Sequence, residues 1–138
     1  MSNTNFISRH QSREEAFALL YEKCYNDSSI EELVENAHLS RDFELSEFAR
    51  ELINGVENNV EAIDKAIEKN LRGWTLNRIS KVVLSIMRIA VFEIMCLDNV
   101  PVSASINEAL ELVKIYSTEK DVPFVNGVLG AVSRDCKR

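Results

Sequence analysis

The fold is decided by residues 79–94, which read ISKVVLSIMRIAVFEI. Apolar residues recur in this stretch three and four positions apart, which is the spacing of one face of an α-helix. They form an unusually wide apolar band that consists of Ile79, Val82, Val83, Ile86, Ala90 and Ile94. A helix that is apolar over so much of its circumference is stable only when other helices cover it. The sequence therefore predicts that this segment is the central buried helix, with Thr75 as its N-cap.

Three stripes of helical period precede this segment. Residues 12–25 form one amphipathic stripe, and a short helix is expected to follow it and to end near His38. The third stripe extends over residues 40–70, which is longer than an ordinary globular helix. A kink or break is therefore expected near residues 55–59.

The helical pattern continues after the central segment. Pro101 and Pro123 stand at positions suited to the first turn of a helix, and an apolar stripe follows each of them. No segment alternates with the period of a strand. We predict an all-α fold, a compact bundle of six or seven helices in two packed halves that meet at residues 72–74. The stripe centres expected to be buried are Phe17, Leu52, Ile86, Ile106 and Leu129.

Length and charge limit the function classes. A chain of 138 residues fits a single domain, with residues 1–11 expected to form a flexible N-terminal arm. The net charge is −6, but residues 14–70 carry −10 while residues 1–13 and 71–138 carry +2 each. A polyanion should therefore meet the arm or the C-terminal half. No apolar run is long enough for a membrane span or a signal peptide, which predicts a cytoplasmic protein without membrane association.

The sequence offers no catalytic or metal-binding constellation. Glu35 and His38 form a single ExxH pair, whereas a di-iron bundle site needs two such pairs with further carboxylates. Cys24, Cys96 and Cys136 lack the paired spacing of a zinc site, and we interpret Cys24 and Cys96 as small core residues in a reducing compartment. The prediction is a binding or assembly protein that is not an enzyme and has no cofactor or metal.

The N-terminal arm has the chemistry of a phosphate site. Arg9 and Arg13 are four positions apart and so share one helical face, and His10 and Gln11 add hydrogen-bond donors beside them. The free N–H groups at a helix start also attract phosphate. RNA is one interpretation of this pattern, and a solvated terminus with two incidental arginines is the other.

Five blocks of sequence carry a family resemblance. They are Arg13-Glu14-x-Ala16-Phe17-x-Leu19-Leu20-Tyr21, Trp74 with Arg78-Ile79, Met87-Arg88-Ile89-Ala90-Val91-Phe92-Glu93, Val100-Pro101-Val102-Ser103 with Ile106-Asn107-Glu108-Ala109, and Phe124-Val125-Asn126-Gly127-Val128-Leu129. In their order and spacing they resemble the NusB family of transcription antitermination factors, which has a helical fold. The resemblance covers about residues 9–132.

This resemblance implies a non-enzymatic RNA-binding adaptor. Together with the ribosomal protein NusE, it would bind the boxA-type single-stranded RNA of ribosomal RNA leader transcripts within the RNA polymerase antitermination complex. The RNA-binding positions that the resemblance implies are Arg9, His10, Arg13, Tyr21, Lys120, Phe124 and Asn126. Tyr21 or Phe124 would stack on an unpaired base, although packing in the core is the alternative for both.

The chain departs from the family pattern in two places. The family arm commonly has adjacent arginines, whereas Arg9 and Arg13 are separated here, so RNA affinity without a partner should be weak. The family usually places an acid and a base where this chain has Val83 and Leu84. We therefore expect a partner contact there, with NusE or with a second copy of the chain in a homodimer, and at least one of the two side chains partly exposed.

Arg88 and Glu93 lie on the most apolar helix and are expected to form a buried polar link with Asn107 or Glu108.

Two alternative functions stay open. One is a stand-alone RNA-targeting domain like the one fused to ribosomal RNA cytosine methyltransferases, although a glycine-rich cofactor-binding sheet is absent after Val132. The other is a helical structural or dimerisation protein without an RNA role.

Overall fold

Six α-helices make up most of the residues that the structure describes. The structure is a computed structural model, which describes residues 8–26, 28–41 and 45–136. For residues 37–41 it describes the backbone alone. The helices are α1 (Arg9–Lys23), α2 (Ile30–Arg41), α3 (Glu47–Lys69), α4 (Lys81–Cys96), α5 (Val102–Tyr116) and α6 (Val122–Cys136). No strand occurs among the described residues, which confirms the all-α prediction. Within the same ranges, no helix is long and apolar enough to cross a membrane.

Helix α4 is the centre of the bundle. It packs against α1, α3, α5 and α6, and all its residues from Val83 to Ile94 are buried except Arg88. The N-cap is Ser80, whose Oγ accepts a hydrogen bond from the Val83 N–H at 3.2 Å. The predicted cap Thr75 instead precedes a short 3-10 turn (Leu76–Arg78) and makes no side-chain cap bond there.

The two halves of the bundle, α1 to α3 and α4 to α6, meet at a glycine turn. Gly73 has a φ of +77°, a left-handed conformation that a residue with a Cβ rarely adopts. The predicted kink in α3 is confirmed at Asn59, whose φ and ψ are not helical. The Asn59 side chain donates a hydrogen bond to the Gly55 carbonyl at 2.7 Å. At the kink, a side-chain amide thus binds a carbonyl that would accept from a backbone N–H in a regular helix.

The first turn of α1 corrects the expected N-terminal arm. The helix begins at Arg9, and Ser8 is its N-cap. Ser8 and Gln11 exchange hydrogen bonds in a capping box, which satisfies two backbone donors that would otherwise be free. Residues 9–11 are therefore part of the bundle, and the rest of the predicted arm, residues 1–7, lies outside the described residues.

The prediction that Val83 or Leu84 is partly exposed is wrong. Val83 is 3% exposed and Leu84 is 4% exposed, because helices pack on several sides of the first turns of α4. These residues therefore belong to the core of the isolated chain.

The structure confirms some of the other predictions about the core and corrects two of them. The stripe centres Phe17, Leu52, Ile86 and Leu129 are buried as expected. Ile106 is only partly buried, because α5 turns Ser105, Ala109, Leu112 and Val113 toward the core. Cys96 is exposed at the last residue of α4, which corrects its assignment to the core.

The contact between α3 and α4 yields a stability prediction. A Cβ atom at Gly55 would overlap the Cζ atom of the buried Phe92 ring. Gly55→Ala is therefore expected to lower the free energy of unfolding by about 1–3 kcal/mol, although alanine is the better helix former. Urea denaturation measures the change.

Gly127 of α6 is the matched control, since a Cβ there meets no atom within 4 Å. Gly127→Ala should raise the free energy of unfolding by about 0.5–1 kcal/mol. A Gly55→Ala variant that gains stability in the same way would show that α3 and α4 do not approach each other at this point.

Candidate nucleic-acid interface

A cleft lies where the linker between the two halves meets the start of α6. Trp74 and Phe124 form its aromatic sides, with ring centroids 5.9 Å apart, and Val83 contributes to its lining. Arg78 and Lys120 also line the cavity, which has a volume of about 490 Å³. Trp74 is 52% exposed, an unusual position for the largest apolar side chain. We call this site the Trp74 cleft.

The cations of the Trp74 cleft stand beside its aromatic rings. The Arg78 guanidinium carbon lies 5.7 Å from the centre of the Trp74 ring, within the range of a cation–π interaction. Lys120 is exposed on a 3-10 turn (Glu119–Asp121) just before α6. The acid in the lining, Asp121, accepts a hydrogen bond from the Ser117 hydroxyl. A flat ring can therefore stack on the exposed part of the Trp74 side chain while the cations of the cleft meet an anion.

A second aromatic cavity adjoins the first turns of α4 on the α1 side. Its volume is about 640 Å³, and its lining includes Phe17, Tyr21, Tyr25 and Tyr116. The Phe17 and Tyr21 rings stack with centroids 5.8 Å apart, and the Tyr25 ring meets Tyr21 edge-on at 5.4 Å. We call this site the tyrosine groove. Tyr21 is half-buried, so its ring both packs on Phe17 and faces the groove.

The Tyr116 hydroxyl connects the tyrosine groove to α1. It donates a hydrogen bond to Glu14 Oε2 at 2.8 Å, and this bond is the main cause of the raised pKa of Tyr116. The phenol therefore stays neutral at physiological pH, and its ring remains available beside the groove.

The two cavities are neighbours. Val82 lines the tyrosine groove, whereas its neighbour Val83 lines the Trp74 cleft. At the end of α5, Tyr116 lines the groove and the next residue, Ser117, lines the cleft. Consecutive residues of two different helices thus separate the sites. The fold brings α1 and the start of α6, which are about 100 positions apart in the chain, to one face of the bundle.

Arg9 lies at the opposite end of α1. It is exposed, and its guanidinium carbon lies 4.2 Å from the centre of the Phe48 ring. Tyr21 follows twelve positions later, so the two side chains are separated by roughly 18 Å along the helix axis. Arg9 can therefore reach a ligand in the tyrosine groove only if that ligand is extended.

His10 faces carboxylates. Its Nδ1 atom lies 2.9 Å from Glu108 Oε1, and its Nε2 atom lies 3.8 Å from Glu14 Oε1. The imidazole therefore connects α1 to α5, and two acids surround the atoms that the prediction assigned to phosphate.

Arg13 is the clearest departure from the expected site. It is only 4% exposed, and its Nε and Nη2 atoms donate to the two oxygens of Glu93 at 2.8 and 2.7 Å. Ser105 donates a further hydrogen bond to Glu93 Oε1 at 2.7 Å. Since the guanidinium is enclosed with its counter-ion, we do not include Arg13 in the surface that could meet RNA.

The expected link of Arg88 and Glu93 to α5 needs a related correction. Glu93 pairs with Arg13 of α1 and with Ser105 rather than with Asn107 or Glu108. Arg88 pairs with Asp64 of α3, through two hydrogen bonds of 2.9 Å each.

The remaining predicted residues lie on α6 or just before it. Lys120 and Phe124 both line the Trp74 cleft. Asn126 is exposed, but it follows Phe124 by two positions and so points to another side of the helix.

Sequence reasoning from the residues missed several residues that line the cleft and the groove, among them Trp74, Arg78, Tyr25 and Tyr116. A large aromatic side chain beside a glycine, outside any apolar stripe, was the available signal for Trp74.

The fold and this surface together define a small all-helical binding protein, with exposed aromatic rings and cations on one face. The model of the NusB family matches residues 10–134, and the chain belongs to the NusB family.

Named relatives and solved structures agree with this membership. The transcription antitermination protein NusB of Clostridium novyi (strain NT) is 41% identical over 128 residues, covering 90% of this chain and 96% of the relative. A crystal form of T. maritima NusB is 31% identical with a TM-score of 0.83, covering 94% of this chain and 92% of that one. A crystal structure of the antitermination factors NusB and NusE in complex with dsRNA is 28% identical with a TM-score of 0.82, covering 94% and 99%.

The buried ion pair yields a prediction about stability. Arg13→Ala should lower the free energy of unfolding by about 3–5 kcal/mol, because it leaves the Glu93 carboxylate enclosed without a counter-ion. Arg88→Ala is the matched control, since the Arg88 and Asp64 side chains are 22% and 21% exposed and water can replace the lost partner. We expect the control to cost about 1 kcal/mol in urea denaturation. Equal losses for the two variants would contradict the difference in burial.

Proposed function

We propose that the chain is a transcription antitermination factor that binds boxA-type single-stranded RNA of ribosomal RNA leader transcripts together with ribosomal protein NusE. It acts in the cytoplasm as part of the RNA polymerase antitermination complex, and it is an adaptor without enzymatic activity. The observation that carries the proposal is the Trp74 cleft, in which the exposed Trp74 ring and the half-buried Phe124 ring stand beside two cations.

The chemistry of this cleft suits an unpaired nucleotide. Aromatic side chains stack on the faces of bases of any sequence, and such stacking needs a base that is not enclosed in a duplex. Arg78 and Lys120 would then contact the phosphates on either side of the base. The tyrosine groove offers further rings to the neighbouring nucleotides, in line with the role expected for Tyr21.

The relatives support the same role. They are named transcription antitermination proteins, and one structural neighbour is a complex of NusB, NusE and dsRNA. Because that neighbour contains dsRNA, single-stranded boxA RNA and a fully paired duplex of the same sequence should be compared in every titration. Preferential binding of the duplex would contradict the stacking mechanism.

Affinity without NusE should be low. The chain carries a net charge of −6, and the described cations of the proposed surface are Arg9, Arg78 and Lys120. Few phosphates can therefore be neutralised by this chain alone. NusE would tighten binding by enlarging the basic surface.

The stacking role of Trp74 predicts a local optical signal. Trp74 is the only tryptophan of the chain, so boxA RNA that stacks on it should quench the intrinsic fluorescence. Trp74→Ala should weaken binding by about 1–3 kcal/mol, measured by anisotropy of labelled RNA. The conservative variant Trp74→Phe keeps a ring in place and should retain most of the affinity. RNA binding without quenching would place the RNA elsewhere on the protein.

The charges predict the salt dependence. Three phosphate contacts at roughly 0.7 each give a slope of log affinity against log salt near −2. Arg78→Ala combined with Lys120→Ala should flatten this slope by about 1.4. Lys65→Ala removes an exposed charge from α3, in the acidic half, and should leave the slope unchanged. If the double variant keeps the original slope, these two cations do not contact the RNA.

A second candidate function is self-association without RNA. Three large apolar side chains on this part of the surface favour it, since Tyr25 is 67%, Ile115 54% and Tyr116 43% exposed. Sedimentation distinguishes the two candidates. A dimer that forms through these residues and does not bind boxA RNA, with or without NusE, would favour this alternative.

A further inference from the structure

Phe48, the second residue of α3, lies against two arginines of α1. The Arg9 guanidinium carbon is 4.2 Å from the centre of the Phe48 ring, and that of the buried Arg13 is 5.3 Å from the same centre. Both distances are within the range of a cation–π interaction. Phe48 is half-buried and packs against the core, whereas Arg9 is exposed. The ring therefore connects a surface arginine to the interior of the bundle.

Hydrogen bonds fix the start of α3 against α1. Ser46, the N-cap of α3, stands two positions before Phe48, and its hydroxyl oxygen lies 2.7 Å from that of Ser12. Glu15 Oε1 accepts hydrogen bonds from the backbone N–H and the hydroxyl of Ser46, at 3.2 and 3.1 Å. These contacts lie within about two turns of Arg9 along α1. The Phe48 ring therefore belongs to a fixed part of the bundle.

An aromatic ring holds an arginine without using its hydrogen-bond donors. The ring contacts the face of the guanidinium, whereas the N–H donors lie in the guanidinium plane and point outward from its edges. Arg13 is the contrast, since its donors are occupied by Glu93. Among the described residues, no carboxylate lies within ion-pair distance of Arg9. Arg9 thus keeps both its charge and its donors for an external anion.

The contact also lowers the entropic cost of binding. A long exposed side chain loses rotamer freedom when it binds a phosphate, and this loss weakens the affinity. Because Arg9 rests on a ring that α3 holds in place, part of that freedom is lost before the ligand arrives.

We propose that Phe48 is a positioning residue for RNA binding, which holds the Arg9 guanidinium so that its edge can meet a phosphate of an extended RNA strand. The ring acts through Arg9 and does not contact the phosphate itself. This inference rests on the proposed function, because it assigns a role within the same RNA-binding surface.

A double-mutant cycle tests this role. Labelled boxA RNA is titrated at low salt against the unaltered chain, Phe48→Leu, Arg9→Ala and the double variant. Phe48→Leu keeps an apolar side chain but removes the ring, and it should weaken binding about three- to tenfold, the cost of ordering one long side chain. Arg9→Ala should weaken binding at least as much and flatten the salt slope by about 0.7. In the Arg9→Ala background, Phe48→Leu should change the affinity by less than about twofold, since no guanidinium remains for the ring to hold.

Two further variants provide the controls. Phe48→Tyr keeps the ring and should bind RNA as tightly as the unaltered chain. Arg50→Ala removes an exposed arginine two positions after Phe48, and Phe48→Leu should have its full effect in that background. Urea denaturation of each variant checks that it is folded under the conditions of the titration.

The contact with the ring can also be measured in the free protein. The order parameter of the Arg9 Nε–H bond, obtained from nitrogen relaxation, should fall in Phe48→Leu and stay unchanged in Phe48→Tyr. A general loss of packing at Phe48 would not single out this bond.

Three results overturn the inference. They are an RNA affinity of Phe48→Leu equal to that of the unaltered chain, a full effect of Phe48→Leu in the Arg9→Ala background, and an Arg9 Nε–H bond that is as ordered without the ring. Each of them leaves the proposed function intact. Failure of the unaltered chain to bind boxA RNA, with or without NusE, would instead contradict the proposed function and this role with it.

Discussion

The enclosed ion pair between Arg13 and Glu93 fixes α1 against the central helix. Glu93 lies on α4, and its oxygens accept hydrogen bonds from Arg13 and from Ser105 of α5. Charges in the interior need such partners, because the loss of water around an unpaired charge is costly. The pair therefore fixes the orientation of α1 about its own axis. With Arg13 turned inward, Arg9 is exposed at the start of the helix, while Tyr21, about three turns after Arg9, borders the tyrosine groove.

The burial of α4 determines which surfaces remain for partners. Helices cover the turn of α4 that contains Val83 and Leu84. The surface that is open to ligands therefore lies along the edges of this turn. At these edges Val82 and Val83 support two aromatic cavities. A residue can thus belong to the core and still shape a binding site, because its outer atoms form the wall on which exposed rings rest.

The charge distribution complements this geometry. The acids concentrated in residues 14–70 place most of the negative charge on α2 and α3, whereas the Trp74 cleft is built from the linker, α4 and α6. A polyanion would be repelled by α2 and α3 and would meet Arg78 and Lys120 at the Trp74 cleft. Net charge alone would have argued against an RNA ligand, and only its distribution allows one.

The sequence by itself determined the all-α class, the central helix, the kink near Asn59 and the family, because helical period and motif spacing are local properties of the chain. It could not show that Arg13 turns inward, since its partner Glu93 is 80 positions away. A basic residue near the start of a helix normally faces water. Whether it meets a phosphate or a buried acid depends on how the helices cross, and that is decided by tertiary packing.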